Sequence, residues 1–323
     1  MPEMPDLTVY LEHLEARLAG ATLERVRLKS PFVLRSVTPS VDEVSGLRVQ
    51  GVSRLAKQIV LEFEGDCFMV MHLMISGRLQ WRAEALSLPQ NGAPPESKAQ
   101  PGRGGAASNG PKRGVRKPGR NVLALFDFST GTLVFTEASK KKRAALRLVR
   151  GRAALAALDP GGLEVLQADL DAFANRLRNA NHTLKRALTD QRVLAGIGNA
   201  YSDEILLTAG MSPFKRAGAL SDEEAERLFN ACRSVLTEWT ERLRREAGDK
   251  FPAKVTAFHK EMAVHGKYRQ PCPLCGSPVQ RIVYAENEAN YCARCQTDGR
   301  LLADRSLSRL LKDNWPRRLE DLE

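Results

Sequence analysis

Apolar side chains recur at helical spacing near the start of the chain. They fall three or four positions apart, at Met4, Leu7, Leu11, Leu14 and Leu18. Gly20 follows the last of them, and glycine is a common helix stop signal. The pattern predicts an amphipathic helix over 4–19 whose apolar face holds the beginning of the chain against a core.

The pattern changes to short runs of β-branched and aromatic residues over 22–83 and again over 121–149. Examples are 57–63 and 122–128, the second followed by a Ser-Thr-Gly turn and another apolar run. Such runs, separated by turn residues, are typical of antiparallel strands. We expect an antiparallel β-sandwich or barrel here.

Residues 84–120 separate these two regions and are rich in Pro, Gly, Ala, Ser and basic residues. A segment with so little apolar surface to bury is predicted to be a disordered basic insertion. It is either a solvated linker or a tether that binds phosphates in a salt-sensitive way.

Helical periodicity returns over 150–247, with helices predicted at 167–178, 181–190, 200–209 and 221–246. A cysteine-bearing module begins after residue 264, and a short helical tail over 304–313 is ended by Pro316. We therefore expect an α+β multidomain protein. Its predicted parts are a β domain at 1–149, a helical domain at 150–263, a ribbon at 264–300 and a tail at 301–323.

Composition and charge narrow the classes of partner. The 323 residues are 43% hydrophobic and 27% charged, which is globular composition, and the net charge is +11. A basic balance favours a polyanionic partner such as nucleic acid, although ribosomal and membrane-surface proteins share it. No apolar run is long enough for a membrane span, and the acidic N-terminus does not resemble a signal peptide. We expect a cytoplasmic protein.

Four of the six cysteines form two pairs with metal-ligand spacing. Cys272 and Cys275 are followed, after sixteen residues, by Cys292 and Cys295. Two such knuckles can present four thiolates to one zinc ion, so we predict a structural zinc ribbon. The other two, Cys67 and Cys232, lie among apolar residues and are predicted to be buried thiols. A ribbon alone does not define a reaction.

The segment 184–207 is predicted to form two helices joined by a glycine-rich turn. Asn199 is placed as the N-cap of the second helix, with Asp203 and Glu204 in its first turn. The glycines would allow close approach of another surface, and a helix N-terminus can bind phosphate. The residues alone fit a DNA-phosphate clamp and an ordinary helix corner equally well.

This segment closely resembles the helix-two-turn-helix motif of the formamidopyrimidine-DNA glycosylase and endonuclease VIII family of base-excision repair enzymes. The resemblance extends to 1–6, 54–59, 72–79, 158–163 and the four-cysteine ribbon. Only the insertion and the residues after 297 fall outside it. It implies a monomeric, bacterial DNA glycosylase and AP lyase with one structural zinc ion, acting on damaged double-stranded DNA.

The resemblance assigns chemistry to the chain start. Removal of Met1 would expose Pro2 as a secondary amine, and α-amino groups titrate near about 7.7–8.0, so a neutral nucleophilic fraction exists. By resemblance Pro2 is the nucleophile, Glu3 the general acid and Lys57 a second catalytic, phosphate-contacting base. Without it, Pro2 is a common second residue, Glu3 a helix charge and Lys57 a solvated strand lysine.

The resemblance also implies a set of DNA contacts. His72, Asn199 and Lys185 correspond to phosphate contacts that hold a bent duplex while one nucleotide is rotated out of the stack. Ile75, or its neighbour Met74, corresponds to the apolar wedge that fills the gap left by the base. In isolation, such an apolar pair is more often part of a core.

Three stretches depart from the family pattern. Residues 136–145, with Lys140, Lys141, Lys142 and Arg143, replace a loop whose arginine and phenylalanine read the opposite base. Asn287 replaces a ribbon arginine linked to phosphate binding and δ-elimination; Arg281 and Arg294 are possible substitutes. The loop 248–259 lacks the Gly- and Thr-rich sequence that covers 8-oxoguanine. We expect a divergent branch acting on an oxidised pyrimidine, a ring-opened purine or an abasic site.

Two other functions stay open from the sequence. A non-catalytic damaged-DNA-binding protein is favoured by the altered loop and Asn287, and opposed by the intact Pro2, Glu3 and Lys57. A zinc-dependent docking module would instead use the basic insertion and the apolar tail to bind protein or RNA.

Overall fold

The computed structural model describes residues 1–83, 119, 121–252, 255, 259–284, 287–303, 309–310 and 316–322. The predicted basic insertion at 84–120 lies outside the described residues except for Gly119, and the predicted tail helix at 304–313 lies outside them except for 309–310.

The first helix, α1 (Met4–Leu18), begins almost at the chain start, as its apolar spacing predicts. Glu3 is its N-cap, and Asp6 accepts a hydrogen bond from the Glu3 backbone N–H at 2.8 Å, completing a reciprocal capping box. Leu7, Leu14 and Leu18 are fully buried. This packing fixes the position of the residues that precede the helix.

Eight strands follow in the first half of the chain. They are β1 (Leu23–Leu28), β2 (Val49–Leu55), β3 (Gln58–Phe63), β4 (Cys67–His72), β5 (Gly77–Arg82), β6 (Val122–Phe128), β7 (Gly131–Glu137) and β8 (Ala145–Arg150). They form two antiparallel four-stranded sheets, in the orders β1-β6-β7-β5 and β2-β3-β4-β8. The arrangement is a sandwich rather than a closed barrel.

The sandwich core lies between the two sheets and α1. Phe63 and Met69 from one sheet and Phe126 and Phe135 from the other are fully buried in it, together with the free thiol of Cys67. The opposite face of β3 and β4 is also apolar and packs against partly buried leucines near 155–158. Strands that are covered on both faces have nearly continuous apolar sequences, which explains why apolar residues do not alternate with polar ones in β3.

The second half is mainly helical. A short helix, α2 (Val41–Val44), lies between β1 and β2, and another, α3 (Arg152–Ala156), follows β8. The helices of the second half are α4 (Leu170–Arg178), α5 (Leu184–Thr189), α6 (Asn199–Thr208) and α7 (Asp222–Ala247). Their shared core contains the buried Tyr201, Leu236 and the free thiol of Cys232, and also Met4 from α1. Helix α1 therefore contacts both halves of the molecule.

The C-terminal hairpin consists of β9 (Val279–Tyr284) and β10 (Asn287–Cys292), followed by α8 (Ala293–Thr297). A small core of Val264, Val279 and two cysteines includes Leu207 from α6. This contact packs the hairpin module against the helical half.

Candidate functional site

The Glu3 carboxylate lies at the N-terminus of α6 and is almost fully buried. It accepts hydrogen bonds from three backbone N–H groups, those of Gly198 at 2.6 Å, Ala200 at 3.0 Å and Tyr201 at 3.3 Å. Helix N-termini have unpaired N–H groups that favour a negative charge. The sequence allows a DNA phosphate as a ligand of this helix N-terminus. In the structure the carboxylate of Glu3, from the start of the chain, occupies that position.

The predicted cap of α6 is wrong in detail. Gly198, in an extended conformation, is the N-cap, and Asn199 is the first helical residue. Asp203 and Glu204 lie beyond the first turn, and both are buried. Asn199 is not needed as a cap because Glu3 supplies the acceptor, so its side-chain amide donates instead to the Glu288 carbonyl of β10 at 2.8 Å.

Two glycines make the contact between α1 and α6 possible. Gly196 has φ +83°, and a Cβ there would lie 2.7 Å from the Met4 Cβ. A Cβ on Gly198 would lie 2.4 Å from the Glu3 carboxyl carbon and 2.6 Å from the Lys57 Nζ. The close approach predicted for these glycines is therefore confirmed, and the surface that approaches is the start of α1.

Pro2 is buried beside Glu3, and Met1 is partly buried. Met1 is part of the wall of a cavity of about 350 Å³ that is also lined by Lys57, His72 and Arg147. Burial lowers the pKa of the Met1 amine below its usual range, and the Glu3 charge opposes this effect. The start of the chain thus lies between an internal carboxylate and a pocket lined by basic residues.

Lys57 lies in the turn between β2 and β3 and is only 5% exposed, so it is not a solvated strand lysine. Burial lowers its pKa, the Glu3 charge opposes this shift, and the Lys185 ammonium adds to it. A lysine in such surroundings is a candidate proton acceptor as well as a cation.

His72 lies at the end of β4 on the wall of the same cavity. Burial, followed by the charges of Lys57 and Arg147, lowers its pKa to about 4. Its Nδ1 accepts a hydrogen bond from the Met74 N–H at 3.0 Å. The neutral ring therefore carries its proton on Nε2, where it can donate to an acceptor such as phosphate.

Lys185 lies in a buried network. Its ammonium donates to the Asn199 carbonyl at 2.7 Å and to the Asp203 Oδ1 at 2.5 Å. The other carboxylate oxygen of Asp203 is 2.8 Å from the His265 Nδ1. Glu204 accepts from the backbone N–H groups of 263–265 at 2.7–2.9 Å. These contacts join α5, α6 and the segment that leads into the ribbon.

Ile75 lies in the turn between β4 and β5 and is 60% exposed, whereas the neighbouring Met74 is partly buried at φ +53°. An exposed apolar side chain at a loop tip suits the wedge predicted there.

In the altered loop after β7, the buried Glu137 accepts from the N–H groups of Arg143 and Ala144. This carboxylate orders the loop and leaves Lys140 and Lys141 exposed.

The four ribbon cysteines converge, with every pair of sulfurs within 4.8 Å, and none forms a disulfide. The Cys275–Cys292 and Cys272–Cys295 sulfur distances are 3.4 and 4.0 Å. Zinc–sulfur bonds of about 2.3 Å in a tetrahedron require sulfurs about 3.8 Å apart. The donor set and its spacing therefore fit one structural zinc ion.

Three family models match the chain. They are the formamidopyrimidine-DNA glycosylase N-terminal domain over 1–108, the formamidopyrimidine-DNA glycosylase H2TH domain over 159–246 and a zinc finger found in FPG and IleRS over 269–297. A formamidopyrimidine-DNA glycosylase of Heliobacterium modesticaldum is 30% identical over 309 residues, covering 92% of this chain and 100% of the relative. The chain belongs to the formamidopyrimidine-DNA glycosylase family.

Two other similarities place the chain within this family. An uncharacterized formamidopyrimidine-DNA glycosylase-like protein of Mycobacterium tuberculosis is 42% identical over 156 residues, which is 48% of this chain and 95% of that protein. The Lactococcus lactis Fpg structure, a complex with abasic-site DNA, matches with a TM-score of 0.71 at 22% identity, covering 91% and 99% of the two chains. The family fold is thus present across nearly the whole chain.

None of the helices in the described part of the chain has both the length and the apolar character that a membrane span needs.

Several residues near the family site were not singled out from the sequence. Asp6 caps the Glu3 backbone, and Arg147 faces the cavity. Asp203, which the sequence places in the first turn of α6, holds Lys185 instead. Arg281 was considered as a substitute for the family arginine; its guanidinium carbon lies 4.3 Å from the ring centre of Tyr268. Asp6 had a local signal, because it stands at the third position of a capping box. Arg147 had none, because its site is assembled from a turn and two strands that are distant in sequence.

Proposed function

We propose that this protein is a bifunctional DNA glycosylase and AP lyase that acts on duplex DNA carrying an oxidised or ring-opened base. The observation that carries the proposal is the position of Pro2. It lies at the buried start of α1, next to the fixed Glu3 carboxylate and one residue from the wall of the basic cavity.

Removal of Met1 would turn the Pro2 nitrogen from an amide into a secondary amine. This amine would attack C1′ of the damaged nucleotide, and the bond from C1′ to the base would break. The departing base keeps the electron pair and takes up a proton. The amine nitrogen loses its single proton on bonding to C1′. Its lone pair then forms a double bond to C1′ as the bond from C1′ to the ring oxygen breaks, and the ring oxygen takes up a proton. The nitrogen now carries no hydrogen, so the product is a cationic iminium.

The iminium acts as an electron sink for strand cleavage. Loss of a proton from C2′ would expel the 3′ phosphate, and water would then release the sugar fragment from Pro2. Lys57, with its lowered pKa, is the proposed acceptor of that proton. Glu3 would act at the deoxyribose ring oxygen, as the general acid when it is protonated.

The everted base would enter a second cavity, of about 400 Å³, between α1, α7 and the segment that follows α7. Asp6 and His259 lie on its wall, with the Asp6 Oδ1 and His259 Nε2 3.6 Å apart. Among the residues that the structure describes, neither atom has a hydrogen-bond partner. A heterocycle with donors and acceptors could pair with both, which supports a base as the occupant.

DNA binding would use His72, which lines the basic cavity, together with Asn199 and the Ile75 wedge, while Lys185 donates to the Asn199 carbonyl. Asn287 stands where the family has the arginine linked to the second elimination. We therefore expect β-elimination to exceed δ-elimination.

The test is borohydride trapping of the zinc-loaded protein on duplexes that contain an abasic site, 8-oxoguanine or an oxidised pyrimidine. Intact-mass measurement first establishes that Met1 is absent. We expect a covalent adduct that peptide mapping assigns to the N-terminal residue, and a changed or lost adduct in Pro2→Gly. The 3′ ends of the cleaved strand distinguish one elimination from two.

The absence of an adduct on all three duplexes, with Met1 removed and zinc bound, would refute the lyase mechanism. Tight and selective binding of those duplexes without an adduct would instead identify a non-catalytic damage-binding protein.

A further inference from the structure

Arg147 has no role in the chemistry described above, yet it lies in the same cavity. It belongs to β8, where it pairs with Val70 of β4. Two residues further along β4, His72 pairs with Ala145 of β8. Residues two apart on a strand share a face. Arg147 and His72 therefore point to the same side of the sheet, and both line the cavity of about 350 Å³ with Lys57.

The charge of Arg147 is unbalanced. Within the described part of the chain, its guanidinium takes part in no hydrogen bond or ion pair. Other arginines of the β domain have carboxylate partners; they include Arg27 with Asp127, Arg54 with Glu164, Arg150 with Glu43 and Arg152 with Glu62. Arg147 is nevertheless half-buried, so the protein accepts part of its desolvation cost without an internal counter-charge.

The neighbours of Arg147 increase this imbalance. Lys57 is buried on the same wall and also makes no hydrogen bond within the described residues. The one nearby carboxylate that acts on Lys57, that of Glu3, is already engaged by three backbone N–H groups. His72 adds a neutral N–H donor. A guanidinium, an ammonium and an imidazole thus face one cavity whose lining, among the described residues, contains no carboxylate.

These groups suit a phosphodiester. A guanidinium can donate two parallel hydrogen bonds to phosphate oxygens, an ammonium adds a point charge, and an imidazole N–H adds a directed donor. A half-buried cation also attracts an anion more strongly than a solvated one, because the local dielectric constant is lower.

We propose that Arg147 is a ligand of the DNA backbone and that it forms, with His72 and Lys57, a three-residue site for one phosphate beside the reacting nucleotide. The proposal rests on the proposed function only in taking DNA as the polyanion. It adds a binding residue on β8, a strand to which no site residue has been assigned.

The experiment compares Arg147→Met with Arg150→Met in the full-length, zinc-loaded protein. Arg150 lies on the same strand but is exposed and paired with Glu43, so it is the matched control. The probe is a duplex with a tetrahydrofuran abasic analogue, and its dissociation constant is measured over a range of KCl concentrations. Each neutralised phosphate contributes about 0.9 to the slope of log K against log salt.

We expect Arg147→Met to bind about tenfold more weakly at low salt and to lose about 0.9 of that slope, since a charge-assisted contact is removed. Arg147→Lys should keep the slope and lose part of the affinity. Arg150→Met should change neither. A wild-type slope in Arg147→Met would overturn the proposal, because it would show that Arg147 neutralises no phosphate.

A second measurement does not depend on folding of a variant. Phenylglyoxal modifies exposed guanidinium groups, and mass spectrometry reports each site. Bound duplex should protect Arg147 in the wild-type protein and leave Arg150 reactive. Equal reactivity of Arg147 with and without bound DNA would overturn the proposal alone, whereas failure of the wild-type protein to bind any duplex would overturn the proposed function with it.

Discussion

Two charged regions meet at the start of α1, and they differ in how completely their charges are satisfied. The Glu3 carboxylate is buried and receives three backbone hydrogen bonds from α6 and the turn before it. Lys57 and Arg147, on the other side of the chain start, have no such bonds within the described residues. The first region is complete without a ligand, and the second is not.

This difference separates positioning from binding. Charges that are paired inside the protein fix the geometry of Glu3 and α6 in the free protein. Charges that have no partner inside the protein can still bind an anion, but their uncompensated burial lowers the stability of the free protein. Variants of the two regions should therefore change different quantities.

The largest effect on stability is expected at the buried Lys185–Asp203 pair. Lys185→Met leaves Asp203 with His265 as its remaining side-chain partner, so the free energy of unfolding should fall by about 3 kcal/mol or more. Lys215→Met is the control, because its partner Glu224 is partly solvated, and it should cost at most about 1 kcal/mol. Denaturant unfolding measures both; equal losses would show that burial of the Lys185–Asp203 pair adds nothing to its effect on stability.

The basic cavity should make stability depend on pH. Between about pH 6.5 and its lowered pKa of about 4, His72 stays neutral in the folded protein while the unfolded chain takes up a proton. The free energy of unfolding should therefore fall through this window by about 3 kcal/mol more in the wild type than in His72→Asn. Denaturant unfolding at several pH values tests this. Parallel curves for the two proteins would show that His72 is not held neutral.

Gly198→Ala tests the region around Glu3 by changing the space between the Glu3 carboxylate and the start of α6. Its Cβ would meet the Glu3 carboxylate and the Lys57 ammonium, so both must move. We expect AP-lyase activity to fall about 100-fold, which corresponds to about 2.7 kcal/mol in the barrier. Gly51→Ala, where a Cβ has open space, should keep activity. Single-turnover cleavage of an abasic duplex provides the measurement, and unimpaired Gly198→Ala would refute the role of the close approach.

The smallest effect on stability is expected at the exposed wedge. Ile75→Ala should change the free energy of unfolding by less than about 0.5 kcal/mol, because the side chain makes little buried contact. Base excision should slow several-fold, and cleavage at a preformed abasic site should slow less, since no base then needs to be displaced. Equal slowing on both substrates would argue against a wedge.

The sequence predicts those elements whose formation depends on residues close together along the chain. Helical spacing defines α1, alternating and continuous apolar runs define β3 and β6, and cysteine spacing defines the zinc cluster. The cap of α6 was mispredicted because its acceptor, Glu3, is distant in sequence. Arg147 was missed for the same reason, since its neighbours in the cavity come from other strands and turns.

The first turn of α6 is an attachment point for two separate parts of the molecule. Glu3 is bound to its backbone, and the ribbon hairpin is bound to its Asn199 side chain. A substitution that displaces the ribbon hairpin is therefore expected to disturb the position of Glu3 as well, because the same turn holds both.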